Sequence, residues 1–297
     1  MTPTVGVVGL GIMGAAIAGQ LVHSGHRVIG YDIDPIRCAV LTDLGGAVVE
    51  SVAGLCFPDT VIIVSLATAE SFHHVISEIV ATGQSGAVVI DTSTLPLEVK
   101  EAGRVALEHV GATLLDCPLS GTGQQARTGD VVAYVSGPPE AVERALPVLA
   151  GFTRGQHLLG VFGNGTRMKL VANLLVAVHN VAAAEAVLLA QRSGLEPASV
   201  LTAIGDGAGT SRMFEIRAPL MLAEQFDVAT MRVDVFAKDL DIIARLALGT
   251  GTPTPLFDAA GLLYRKALAQ GRGAQDTASV YGVLKEVIPP AGEAGPA

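Results

Sequence analysis

The chain has 297 residues, 50% of them hydrophobic, and a net charge of -9. Lysine and arginine are scattered rather than clustered, which excludes the basic patch that a nucleic-acid surface needs and the basic face that would hold the chain on a membrane. Its length suggests two domains. The three cysteines, Cys38, Cys56 and Cys117, are odd in number and lack CxxC spacing. Free thiols in a reducing cytoplasm are therefore expected, not a disulfide framework.

Met1-Thr2-Pro3-Thr4 has no basic region ahead of the first apolar run, Val5 to Val8, so that run is expected as a strand and not as a signal peptide. It leads into Gly9-Leu10-Gly11-Ile12-Met13-Gly14, a helical segment, and a second strand from Arg27 to Tyr31 that ends at Asp32. A Gly-x-Gly-x-x-Gly between strand and helix, with an acid 18 residues past Gly14, is a dinucleotide fingerprint. Gly9 permits the tight turn, Gly11 lets backbone approach a pyrophosphate, and Gly14 lets the helix pack closely on the strand with its N-terminus facing the anion. Asp32 is placed to bond the adenosine ribose hydroxyls and to repel a 2′-phosphate, so NAD is expected over NADP. Arg37, the one nearby cation, lies four residues past the usual place for a phosphate clamp.

Further strands are expected at Thr60 to Ser65, Ala87 to Asp91, Thr113 to Asp116 and Val131 to Ser136, alternating with helices. After Gly163 the pattern is helical only, with segments at Pro197 to Ile204, Phe214 to Glu224, Val235 to Leu248, Pro255 to Gln270 and Asp276 to Val287. The expected fold is α/β: an N-terminal Rossmann-type doubly wound, mostly parallel sheet over residues 1–163, then an all-α C-terminal domain over 164–288 built around a long interdomain helix. The Pro/Gly/Ala-rich end, 289–297, reads as a disordered tail.

The long helix carries the most chemistry. From Thr166 to Ser193 its charged residues are Arg167, Lys169, Glu185 and Arg192. A helix this apolar is expected to be buried, in a core or between subunits, and a homodimer or homotetramer would supply the cover. Lys169, Asn173, His179, Asn180 and Glu185 make it too polar for a membrane span. Lys169 has two readings: a lysine that snorkels at a helix end, or an amine whose desolvation favours the neutral form that can exchange a proton. Asn173, one turn on, shares its face. The histidines show no spacing that would build a metal site. His73 and His74 read as a surface pair, and His179 as a hydrogen-bonded core residue.

Four segments together are specific: Gly9 to Gly14, Asp116-Cys117-Pro118-Leu119-Ser120-Gly121-Thr122-Gly123, Gly163 to Leu170 with Asn173, and Lys238-Asp239-Leu240. In this order they resemble the β-hydroxyacid dehydrogenase family, relatives of 3-hydroxyisobutyrate and 6-phosphogluconate dehydrogenases. The resemblance implies a cytoplasmic NAD-dependent oxidoreductase acting on a small hydroxy acid. It makes Lys169 the general acid/base, with Ser120, Gly121, Thr122 and Asn173 on the substrate. It places Gly9, Leu10, Gly11, Ile12, Met13, Gly14, Asp32, Ser65, Leu66, Thr94 and Lys238 on the cofactor. This agrees with the chemistry: the nicotinamide takes the hydride, the protein must take the hydroxyl proton, and no metal is required.

The chain departs from the family pattern at Thr122, where a second glycine is usual, at Ala172, where asparagine is common, and at Ala67, where a proline often follows the fourth strand. These positions concern specificity. Ala208 to Arg217 and Val233 to Leu240, with His179, resemble the L-threonate dehydrogenase branch, and Ser211 and Arg212 would suit a polyhydroxylated acid as readily as they would suit a plain turn. Asn173 stands where that branch is expected to carry glutamine. Semialdehyde reductases and imine reductases share the architecture. In the latter group the lysine position generally holds another residue.

Overall fold

Short β-branched runs bounded by glycine and polar turns build the first part of the chain. The computed structural model describes residues 4–287, so the tail expected over 289–297 lies outside the described residues. The chain divides into two compact units between Lys169 and Leu170. The first begins with strand β1 (Thr4–Val8), helix α1 (Ile12–His23), β2 (Arg27–Tyr31), α2 (Pro35–Asp43), β3 (Ala47–Val48) and β4 (Val61–Val64). It continues with α3 (Ala69–Ala81), β5 (Val88–Asp91), α4 (Leu97–Glu108), β6 (Thr113–Asp116), β7 (Leu119–Ser120) and α5 (Gly123–Arg127). β8 (Val132–Val135), α6 (Pro139–Ala150) and β9 (Gly155–Leu158) follow.

Six strands form one parallel sheet in the order β3-β2-β1-β4-β5-β6. β4 and β5 are buried at every residue, as central strands covered on both faces must be. The chain runs outward from β1 to β3 and then returns to β4 on the other side of β1. The topological switch point, where such sheets bind ligands, therefore lies between the ends of β1 and β4. Gly9 follows the first of these strands and Ser65 the second, and the Ser65 N–H donates to the Val8 carbonyl at 2.9 Å.

The expectation that Val131 to Ser136 extends the parallel sheet is corrected. β8 lies in a second, three-stranded sheet, antiparallel to β7 and parallel to β9. Its apolar residues satisfy either sheet, and nothing in their period distinguishes the two. The bridge between Asp116 and Ser136 joins the end of β6 to the end of β8.

Helix α7 (Asn164–Arg192) starts in the first unit and runs into the second. There it is followed by α8 (Pro197–Gly205), α9 (Arg212–Ala223), α10 (Val233–Thr250), α11 (Pro255–Ala269) and α12 (Val280–Val287). The last expected helix is split, with a 3-10 turn at Thr277–Ser279 capped by the Asp276 carboxylate before α12 begins. The core of this unit gathers Phe214, Phe236, Phe257, Tyr264 and Tyr281 against Ala177, Ala184 and Val187 of α7. A buried Arg217–Asp276 ion pair of 2.8 Å ties α9 to the segment before α12. Within the single chain one side of α7 is buried, while Val171, Leu175 and Leu189 are exposed at 54%, 48% and 69%.

Candidate active site

The glycine loop has the shape its sequence implies. Gly9 has φ +84, and a Cβ there would stand 2.4 Å from the Ser65 carbonyl oxygen. A Cβ on Gly14 would fall 1.7 Å from the Gly9 carbonyl oxygen, so α1 can approach the loop only without a side chain. Gly11 differs, because within 4 Å its Cβ would meet only the tip of Arg37. Space that no protein atom claims, at the N-terminus of a helix with no acid in its first turn, fits a bound anion. The loop therefore fits a dinucleotide pyrophosphate.

Asp32 is 9% exposed at the end of β2. Its Oδ2 accepts from the Leu10 N–H at 2.7 Å and its Oδ1 from the Asp34 N–H at 2.9 Å, which holds the carboxylate beside the loop. The Arg37 guanidinium lies 3.5 Å from it. Ile12 is largely exposed and Met13 half-buried at the start of α1. Ser65 and Leu66 leave β4, and the Leu66 N–H donates to Ser93 Oγ at 2.9 Å. The loops after β4 and β5 are thus joined just ahead of Thr94.

Ser120 ends β7, and Gly121 follows with φ +142, a conformation suited to glycine. Thr122 caps α5: its Oγ1 accepts from the Gln125 N–H while Gln125 Oε1 accepts from the Thr122 N–H at 3.0 Å. Both of its donors turn toward Gln125, the N–H at that distance and the hydroxyl at 3.3 Å from the same oxygen. The spacing Thr-x-x-Gln was the signal for this role. Gly123 abuts Ile12, since a Cβ there would lie 2.3 Å from its side chain, so the segment packs beside the glycine loop.

The start of α7 is anchored at Asp116, the last residue of β6. The Thr166 N–H donates to Asp116 Oδ2 and the Thr166 hydroxyl to Oδ1, both at 2.7 Å. The Gly165 N–H donates to Ser136 Oγ at 2.9 Å. Lys169, one turn further, is 8% exposed, which sets aside the snorkelling alternative. In the second unit Asn173, 4% exposed, donates its amide to Asp239 Oδ2 at 2.9 Å. The sequence alone assigns Asp239 no role, although it stands beside Lys238 in one of the four family-like segments. Lys238 is half-exposed on α10, 3.9 Å from Asp239.

The other candidates separate from these. His179 is half-buried, where a core position was expected, and lines a surface cavity of about 340 Å³ with Thr210, Ser211 and Phe214. Ser211 caps α9, and Arg212 pairs with Glu215 at 2.9 Å on the surface. Their turn-and-surface reading is the one the structure supports. His73 and His74 are both exposed on α3. The three cysteines are free.

A doubly wound sheet with a glycine loop at its switch point, followed by a helical unit, defines a dinucleotide-dependent oxidoreductase. Residues 4–165 match the family described as the NAD binding domain of 6-phosphogluconate dehydrogenase, and residues 163–284 that described as NAD-binding of NADP-dependent 3-hydroxyisobutyrate dehydrogenase. The chain belongs to the β-hydroxyacid dehydrogenase family, NAD(P)-dependent enzymes that act on the hydroxyl group of hydroxy acids. It is 33% identical to an L-threonate dehydrogenase of Cupriavidus necator over 96% of this chain and 97% of the relative. It is 28% identical to the mitochondrial 3-hydroxyisobutyrate dehydrogenase of Rattus norvegicus, over 95% of this chain and 87% of that one. Among solved structures, a 3-hydroxyisobutyrate dehydrogenase from Salmonella typhimurium superposes with TM-score 0.85 at 28% identity, covering 95% of this chain and 99% of that chain.

Proposed function

We propose that the enzyme oxidises a small polyhydroxylated acid of the L-threonate type, using NAD, with Lys169 as the general base. One observation carries the assignment of roles. Asp116 anchors the turn that precedes Lys169, and it also stands four residues before Ser120. An acid whose carboxylate is held by the Ser120 hydroxyl and the Gly121 N–H would present its carbinol toward the first turns of α7. Lys169, as the neutral amine, takes the hydroxyl proton, and as the ammonium returns it in the reverse reaction. The glycine loop and Asp32 would hold NAD, which would supply the hydride acceptor. Asn173, oriented by Asp239, is the group on the next turn of α7 for a substrate oxygen. The 33% identity to an L-threonate dehydrogenase supports that substrate class. The test is kcat/KM for L-threonate against 3-hydroxyisobutyrate, and a preference for the latter would overturn the substrate class.

NAD over NADP is supported by the buried Asp32 carboxylate, which would meet a 2′-phosphate at close range. A repulsion of about 1–4 kcal/mol at ~4 Å corresponds to roughly fivefold to nearly a thousandfold. Asp32→Ser is accordingly expected to raise the NADP-to-NAD ratio of kcat/KM by at least about fivefold. A ratio that does not move would show that Arg37, not Asp32, governs the choice.

A second copy of the chain is the proposed cover for the open face of α7, where Met168, Val171, Leu175 and Leu189 recur at helical spacing. Light scattering is expected to give a dimer or tetramer, and Leu175→Glu with Leu189→Glu to shift it toward monomer. A wild-type monomer at micromolar concentration would contradict this. A cytoplasmic location is proposed on the free cysteines alone.

A further inference from the structure

Lys100 belongs to α4, whose sequence LEVKEAGRVALE turns Glu98, Glu101 and Glu108 to solvent. Lys100 itself is 0% exposed. Its Nζ lies 2.8 Å from Asp116 Oδ1 and 3.0 Å from Asp91 Oδ2, and both carboxylates are also 0% exposed. Burial alone would lower the ammonium's pKa, but Asp116 and Asp91 outweigh it and raise the value, so the lysine stays charged.

Each carboxylate holds a different part of the first unit. Asp91 ends β5, and its Oδ1 accepts the Ser93 N–H at 3.0 Å while Ser93 Oγ takes the Leu66 N–H. Asp116 ends β6, and its oxygens take the N–H and hydroxyl of Thr166 and the hydroxyl of Ser136. One cation therefore joins the loops after β4 and β5 to the first turn of α7. Buried ion clusters on average add little stability over apolar side chains of the same volume. This one lies at the carboxyl ends of the strands, where a doubly wound sheet places its ligand.

We propose that Lys100 is a positioning residue for catalysis: through Asp116 and Asp91 it locks the first turn of α7 against the loop after β5, and so fixes where Lys169 meets the substrate hydroxyl. This rests on the reading of Lys169 as the acid/base. Thr166 precedes Lys169 by about one turn of helix, so a shift of the clamp carries Lys169 with it, and misplacement of about 1 Å at a reacting group costs on the order of a hundredfold.

Two variants test the clamp while sparing the fold. Lys100→Met alone would leave two carboxylates facing each other in one buried spot. Lys100→Met with Asp91→Asn keeps the cluster's net charge at minus one: two carboxylates and an ammonium become one carboxylate. Thr166→Val removes a single hydroxyl from Asp116. In the oxidation of L-threonate or 3-hydroxyisobutyrate, whichever is turned over, both variants are expected to keep KM and NADH affinity within about threefold. In the double variant kcat should fall about tenfold or more, with a larger deuterium isotope effect from the carbinol-deuterated acid. Folded variants with kcat within about twofold of wild type, or with an unchanged isotope effect, would reduce Lys100 to an element of the fold. If the double variant does not fold, Thr166→Val tests the shared anchor at Asp116: kcat is expected to fall at least about fivefold, and a wild-type kcat would overturn the clamp.

Lys169→Ala separates the two ideas. If it keeps turnover, the acid/base assignment fails; if it is inactive while the clamp variants behave as wild type, only the clamp fails. Amide exchange gives an answer without turnover: in the NADH-bound double variant, residues 92–95 and 164–170 should exchange at least about tenfold faster than in wild type, with α3 unchanged. Unchanged exchange in both segments would overturn the clamp.

Discussion

Lys169→Ala is expected to lower kcat for hydroxy-acid oxidation by about 10²–10⁴-fold, the usual contribution of a positioned acid/base, while NADH still binds. The split follows from where the groups lie. On the proposed reading the cofactor would be held by the glycine loop, Asp32 and the loops after β4 and β5, whereas the lysine would act on the substrate hydroxyl. Asn173 cannot stand in as the base: its amide does not change charge and is committed to Asp239. Steady-state kinetics beside NADH fluorescence titration would read both quantities. Near-normal kcat at saturating substrate would remove Lys169 from the mechanism. Equal loss of NADH binding would make it a cofactor contact.

Gly165→Ala should be nearly as damaging, for a reason of packing. A Cβ at this position would stand 2.5 Å from the carbonyl oxygens of both Asp116 and Tyr134. Both are backbone atoms of the strands on which α7 docks, so no side chain can swing aside. Overpacking usually costs about 1–3 kcal/mol, and the upper end is expected where backbone must shift. The shift would move the turn that precedes Lys169, so kcat should fall together with stability. Urea unfolding and kinetics on the folded fraction would show both losses. A variant with wild-type stability and kcat would mean that α7 starts with slack at Asp116.

The parts of the site legible in the sequence are those whose chemistry is local. The glycine loop declares itself because Gly9 and Gly14 are required by contacts within a few residues or with the next strand end, and Asp32 because it closes that strand. Lys169 stood out because few charges interrupt α7. The buried Lys100 did not, since one lysine in a helix rich in glutamate reads as a surface residue, and its burial is decided by Asp91 and Asp116 on two other strands. β3 and β7, of two residues each, are too short to show alternation, and β9, Gly-Gln-His-Leu, carries edge-strand polarity. Thr122 is a different case. Its capping partner Gln125 was visible at the right spacing, but the resemblance spoke only of a substrate contact. Asp239 was likewise in view beside Lys238, and only the fold of the second unit brings it to Asn173.

The most direct test of the account is NADH formation, followed by absorbance, for L-threonate, D-threonate, 3-hydroxyisobutyrate, L-serine and D-glycerate, with NAD and with NADP, using wild type and Lys169→Ala side by side. The account predicts that wild type oxidises L-threonate in preference to the other acids, prefers NAD, and loses turnover in the variant. Binding of NADH with neither oxidation of any of these acids nor reduction of any corresponding carbonyl compound would contradict it.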